Sequence, residues 1–82
     1  MNGDALSWWC EHLPPEEARS LLIKAAEQHP HGFTDPRSIG CNWALTLQRM
    51  GFNALPPYSR NYLAMIYLKR TDPPLRERIP IH

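Results

Sequence analysis

Cysteine, histidine and paired carboxylates are the side chains of this chain that could ligate a metal or move a proton. Cys10 and His12 are spaced C-x-H, His29 and His31 are spaced H-x-H, and Cys41 follows downstream. Zinc takes four ligands of these types in a tetrahedron. The spacings, however, match no finger, ribbon or knuckle. Cys10 also falls on the apolar side of its helix, where a plain buried thiol is the commoner arrangement. A dyad of Cys41 with His29 or His31 would be the route to nucleophilic chemistry, since an imidazole can activate a neighbouring thiol. Cys41 lies close to the exposed side of its helix. Glu16 and Glu17 are adjacent in a first helical turn, where the dipole favours negative charge without any acid–base role. The chain contains no G-x-S-x-G, no H-E-x-x-H and no phosphate-cradling glycine loop. A domain of 82 residues has little room for a water-excluding pocket. The expectation is a protein with no catalytic residues, no metal, no cofactor and no small-molecule substrate.

The elements that position these residues are punctuated by proline. The clearest is Thr34 to Phe52. Asp35 or Thr34 can accept a hydrogen bond from a first-turn amide, Pro36 suits the first helical position, and Gly51 suits the C-cap. Between them Ile39, Trp43, Leu47 and Met50 recur at helical spacing and predict the core face, with Ser38, Asn42, Leu45 and Arg49 opposite. A first helix is predicted over Ala5 to His12, capped by Asn2 or Asp4. Its apolar side is Leu6, Trp9, Cys10 and Leu13, with Trp8 off that stripe. Leu13-Pro14-Pro15 ends it and opens a second helix that stops near Gln28, with Ala18, Leu21, Leu22 and Ala25 inward. Leu55-Pro56-Pro57 echoes that triplet and predicts a helix opening at Pro57. Tyr58 to Arg70 fits a helix with Leu63, Ile66, Tyr67 and Arg70 on one stripe. Read as a strand, both of its faces would be apolar, which so small a protein could bury only with difficulty. Thr71-Asp72-Pro73-Pro74 should end it, and 75–82 reads as an extended basic tail pinned by Leu75, Ile79 and Ile81.

The predicted fold is mostly α: a single small domain over 1–82, built as a bundle of three to four short helices with that C-terminal tail. The alternative is three helices plus a β-hairpin wing. The run Trp43-x-x-x-Leu47-x-x-x-Gly51-Phe52 resembles the end of the recognition helix in winged-helix domains, a likeness that implies a wing strand over 60–68. Composition fits a folded chain, with 43% apolar residues, too many for intrinsic disorder. Two cysteines make no disulfide framework. No apolar run approaches a membrane span, and no basic segment followed by an apolar one suggests a signal peptide. A cytoplasmic protein with reduced thiols is the expectation.

Net charge is +1, unevenly spread. Residues 1–32 carry five carboxylates against two basic groups, and residues 60–82 carry five basic groups against two carboxylates. Such a balance is a poor match to phosphate neutralisation, which supplies much of DNA affinity. A helix-turn-helix using the 36–50 helix, with Arg37, Ser38, Asn42 and Arg49 toward the bases, is therefore the second reading. The first is docking onto a protein, because Trp8, Leu45, Tyr58, Tyr62 and Tyr67 offer more apolar and amphipathic surface than a tiny core can absorb. The candidate contact residues are Arg37, Ser38, Asn42, Leu45 and Arg49, with Arg60, Lys69 and Arg70 at the edge. Size and charge style suit an accessory factor or inhibitor of a larger assembly, of the kind phages and mobile elements encode.

Overall fold

The structure is a computed structural model that describes the backbone of residues 2–78 and the side chains of residues 5–70. Four α-helices and one short 3-10 turn follow in chain order: α1 (Asn2–Glu11), α2 (Pro15–Glu27), α3 (Pro36–Met50), the 3-10 turn Phe52–Ala54, and α4 (Pro57–Arg78). No strand occurs among the described residues, so the winged-helix alternative with its hairpin wing is not what this sequence forms. Tyr58 to Arg70 is helical, and its inward residues Tyr62 and Leu63 are buried.

Local chemistry explains most of the boundaries. Helix α2 opens with Pro15 in its first turn and Glu16 and Glu17 behind it. Pro57 begins α4 in the same way, and the two openings share a backbone bond. Ala18 N–H donates to the Pro14 carbonyl at 2.9 Å, and Arg60 N–H donates to the Pro56 carbonyl at 3.1 Å. Asp35, rather than Thr34, caps α3 by accepting from Ser38 N–H at 3.3 Å. Gly51 ends α3 at φ 95°, a backbone region that L side chains avoid. The Glu11 carboxylate accepts from Phe52 N–H at 2.9 Å and so ties α1 to the start of the 3-10 turn.

Three expectations change. Helix α1 begins at Asn2, so Asp4 lies within it rather than capping it. Helix α4 does not stop at Thr71 but runs on to Arg78, so 75–78 is helix and not extended tail. A proline inside a helix loses its amide donor and crowds the carbonyl four residues back, which normally kinks or ends the helix; the helical backbone nevertheless continues through Pro73 and Pro74. Residues 79–82, including Ile79 and Ile81, and the Leu75 side chain lie outside the described residues.

The third change concerns the core. Its buried members are Cys10 on α1, Ala18, Leu21, Leu22, Ala25 and Ala26 on α2, Trp43, Ala44 and Leu47 on α3, then Phe52, Leu55, Tyr62 and Leu63. Met50, expected inside, is 72% exposed, and Ile39 is only partly buried. The buried centre of α3 runs instead through Gly40, Trp43, Ala44 and Leu47. Gly40 explains the rotation. A Cβ at this position would stand 2.3 Å from Ile23 Cα and 2.6 Å from its backbone nitrogen. The two helix backbones touch here because there is no side chain to hold them apart. Tyr62, expected at the surface, is buried in the same core.

Around this core the first helix and the α2–α3 connection are pinned by rings. Trp9 of α1 packs on Tyr67 of α4 at 5.3 Å between centroids. His29 lies against Phe33 and Tyr58, and Phe33 meets Trp43 edge-on at 5.7 Å. The Tyr58 hydroxyl donates to the Gln28 carbonyl at the end of α2 at 2.8 Å.

Candidate docking face

The residues with metal or nucleophile chemistry are dispersed. Cys10 is 1% exposed. Burial, and then the neighbouring Glu11 charge, push its thiol up to about 12, so the thiolate is disfavoured. His12 lies flat on exposed Trp8 at 4.1 Å, its Nδ1–H donating to the Trp8 carbonyl at 2.8 Å. His29 uses Nδ1 to accept the His31 backbone N–H at 3.1 Å, which closes the turn after α2. Both cysteines are free. Among the described residues no three His, Cys, Asp or Glu side chains come together in a way that could hold a metal ion. No helix among them is long and apolar enough to cross a membrane.

The outward side of α3 is where the sequence-predicted contact residues gather. Ser38, Asn42, Leu45 and Arg49 are all exposed, as is Arg37 one residue before them. They share a face because 3.6 residues per turn brings positions four, seven and eleven apart into line. Leu45 is 48% exposed in the middle of this polar set. Thr46 Oγ1–H donates back to the Asn42 carbonyl at 3.0 Å, which leaves the Asn42 side chain outside that bond.

Of the basic residues of α4, Arg70 is engaged elsewhere. Arg70 forms an ion pair with Glu17 and lies over the Trp9 ring at 5.8 Å. Glu17 is two residues before Arg19, a step of about 200° around the helix, which puts it on the flank of α2 turned away from α3. Arg60 is partly buried, and its Nε has no hydrogen-bond partner. Lys69 is exposed. Arg70 is thus occupied in joining α4 to α1 and α2.

Beside the predicted face lies a concave feature that single-helix periodicity misses. Pro15, Ala18 and Arg19 of α2 and Cys41, Ala44, Leu45 and Gln48 of α3 line a groove of about 240 Å³. Its floor includes the buried small residues Ala18 and Ala44. Cys41 is half-buried in its wall. Leu45 belongs both to the groove and to the outward face, so it forms the ridge between them. A second, more polar hollow of about 420 Å³ continues the α2–α3 seam, lined by Glu16, Arg19, Ser20, Ile23, Lys24, Glu27 and Arg37. Arg19 stands where the two meet. The helices approach closely at Gly40 and Ile23, and small residues at the seam leave space beside that crossing.

No known protein-family model, no curated protein and no solved structure matches this chain. By its fold the chain is a small helical protein with one core and, among the described residues, four α-helices, where the exposed large apolar side chains are Trp8, Leu45, Met50, Met65 and Leu68.

Proposed function

We propose that this protein is a non-enzymatic binding module that docks on a protein partner through the outward face of α3, acting as an accessory factor or inhibitor. The observation that carries the reading is the position of Leu45. It is half-exposed among Ser38, Asn42 and Arg49, and it borders an apolar groove floored by Ala18 and Ala44. A lone exposed leucine is ordinary. A leucine on the lip of a groove, ringed by arginine and amide side chains, has the anatomy of an interface: an apolar centre with a polar rim. Arg37 and Arg49 supply residues of the type that anchor such contacts.

The reading separates from DNA binding on energetic grounds. A DNA reader depends on phosphate contacts, so its affinity falls steeply with salt and survives loss of Leu45. A protein-binding face depends on the apolar centre. With the partner recovered from the source cell, Leu45→Ala should weaken binding by more than about 1 kcal/mol, with a shallow salt dependence. A steep salt dependence, with Arg49→Ala harmful and Leu45→Ala silent, would replace this proposal with the helix-turn-helix one.

A further inference from the structure

Charge around the groove says what kind of protein segment fits it. Helix α3, from Pro36 through Met50, carries Arg37 and Arg49 and no carboxylate. Among the residues lining the apolar groove, Arg19 is the one charged side chain. Arg19 also lines the adjoining hollow with Lys24 and Arg37, against Glu16 and Glu27. Near Leu45 the surface is therefore apolar with a cationic border. The nearest carboxylate is Glu16, which sits on α2 between the groove residues Pro15 and Ala18 and is outnumbered by Arg19, Arg37 and Arg49, while Glu27 lies farther along α2. Like charges facing each other across an interface repel, whereas complementary ones steer encounter and fix register.

Resting on the docking role assigned to α3, we propose that the segment seated here is acidic and amphipathic. It inserts one aliphatic or aromatic side chain into the groove beside Leu45, and it places carboxylates on both sides of that anchor to meet Arg19, Arg37 and Arg49. The small floor residues admit a side chain, and a groove of about 240 Å³ accommodates one such anchor rather than a row of them. A segment rich in lysine or arginine would face Arg19, Arg37 and Arg49 without compensation.

The test is a selection of random 12-residue peptides displayed on phage against the full chain, with binding of the enriched peptides then measured on purified variants. The expected consensus is a single Leu, Ile, Phe or Trp flanked by Asp and Glu. Leu45→Ala should weaken it at least fivefold, and Arg37→Glu with Arg49→Glu at least tenfold. Arg49→Gln serves as a milder second variant, and all variants should keep the wild-type circular dichroism spectrum. Peptides that need Leu45 but carry no acidic excess would overturn the acidic-partner inference and leave the docking role standing. Failure to enrich any peptide, or peptides indifferent to Leu45 and both arginines, would overturn the inference and also count against the α3 face as the docking surface.

Discussion

Gly40→Ala tests how this fold is held together, because two well-understood effects oppose each other there. In an exposed helix interior, replacing glycine by alanine stabilises by about 1 kcal/mol through chain entropy. Gly40 is helical and has no positive φ, so that gain is available to it. Against it stands the crossing with α2. The added Cβ would lie 2.3 Å from Ile23 Cα, 2.6 Å from Ile23 N and 2.7 Å from its Cγ1. Favourable carbon–carbon contact begins near about 3.5 Å, so the helices must separate by on the order of 1 Å. Two of the three obstructing atoms are backbone, so no rotamer change relieves them. Separation would loosen Ala44 and Trp43 against α2, at the most extensive helix–helix contact of the molecule. Overpacking of this kind costs about 1–3 kcal/mol or more. Because two of the obstructing atoms are backbone, the cost falls at the top of that range, about 3 kcal/mol; less the gain of about 1 kcal/mol, the net loss is about 2 kcal/mol and Tm falls by roughly 10 °C, given about 4–8 °C per kcal/mol for domains of this size. Thermal and urea unfolding followed by circular dichroism measure it directly. A Gly40→Ala protein as stable as wild type, or about 1 kcal/mol more stable, would refute the close crossing and the orientation of α3 that follows from it.

Four further outcomes follow from the same packing. Trp43→Ala should cost about 3–5 kcal/mol, as for other emptied aromatic core sites, and unfolding curves will read it. Met50→Gln, at an exposed position, should change stability by less than about 0.5 kcal/mol. In the native protein a disulfide reagent should label Cys41 readily and Cys10 only after denaturation. Cys10 also makes stability depend on alkaline pH. Its folded value of about 12 exceeds the ordinary 9.0, so above pH 9 the unfolded chain releases a proton that the folded chain keeps. The stabilisation is complete well below pH 9 and declines above it, by on the order of 1 kcal/mol at pH 10. Burial also raises the Tyr62 hydroxyl above 10.0, with Tyr58 and Glu27 adding to it, which contributes in the same direction at higher pH. Cys10→Ala should flatten the profile between pH 9 and pH 10.

Features governed by nearest neighbours along the chain were legible in the sequence. Pro36 after Asp35, Pro15 and Pro57 as helix openers, and Gly51 as a stop each follow from backbone dihedrals and unpaired amides. The apolar side of α1 was legible too, with Cys10 inside and Trp8 out. Features decided by a second element were not. Reading α3 by side-chain size placed Ile39 and Met50 inside, whereas the closest approach is made by its smallest residue, Gly40, and the helix rotates to put Gly40 and Ala44 at the seam. Tyr62 looked like surplus surface because its partners on α2 are distant in sequence. Pro73 and Pro74 looked like a stop because a proline inside a helix loses a hydrogen bond and crowds the preceding turn, yet α4 runs through them. Of the candidate docking face, the exposed row from Ser38 to Arg49 was legible from period alone. The groove beside it needed Pro15, Ala18 and Arg19 brought against Cys41 and Gln48, which only the packing of α2 on α3 supplies.

The central claim is that the outward face of α3 docks a protein. The most direct measurement is capture from nuclease-treated extract of the source cell, using the wild-type chain and a variant with Ser38, Asn42, Leu45 and Arg49 all replaced by alanine, each bound protein being quantified by mass spectrometry. One stoichiometric protein should be held by the wild type and lost from the quadruple variant, with the variant's circular dichroism and cooperative unfolding retained. Undiminished capture of that protein by the folded quadruple variant would contradict it.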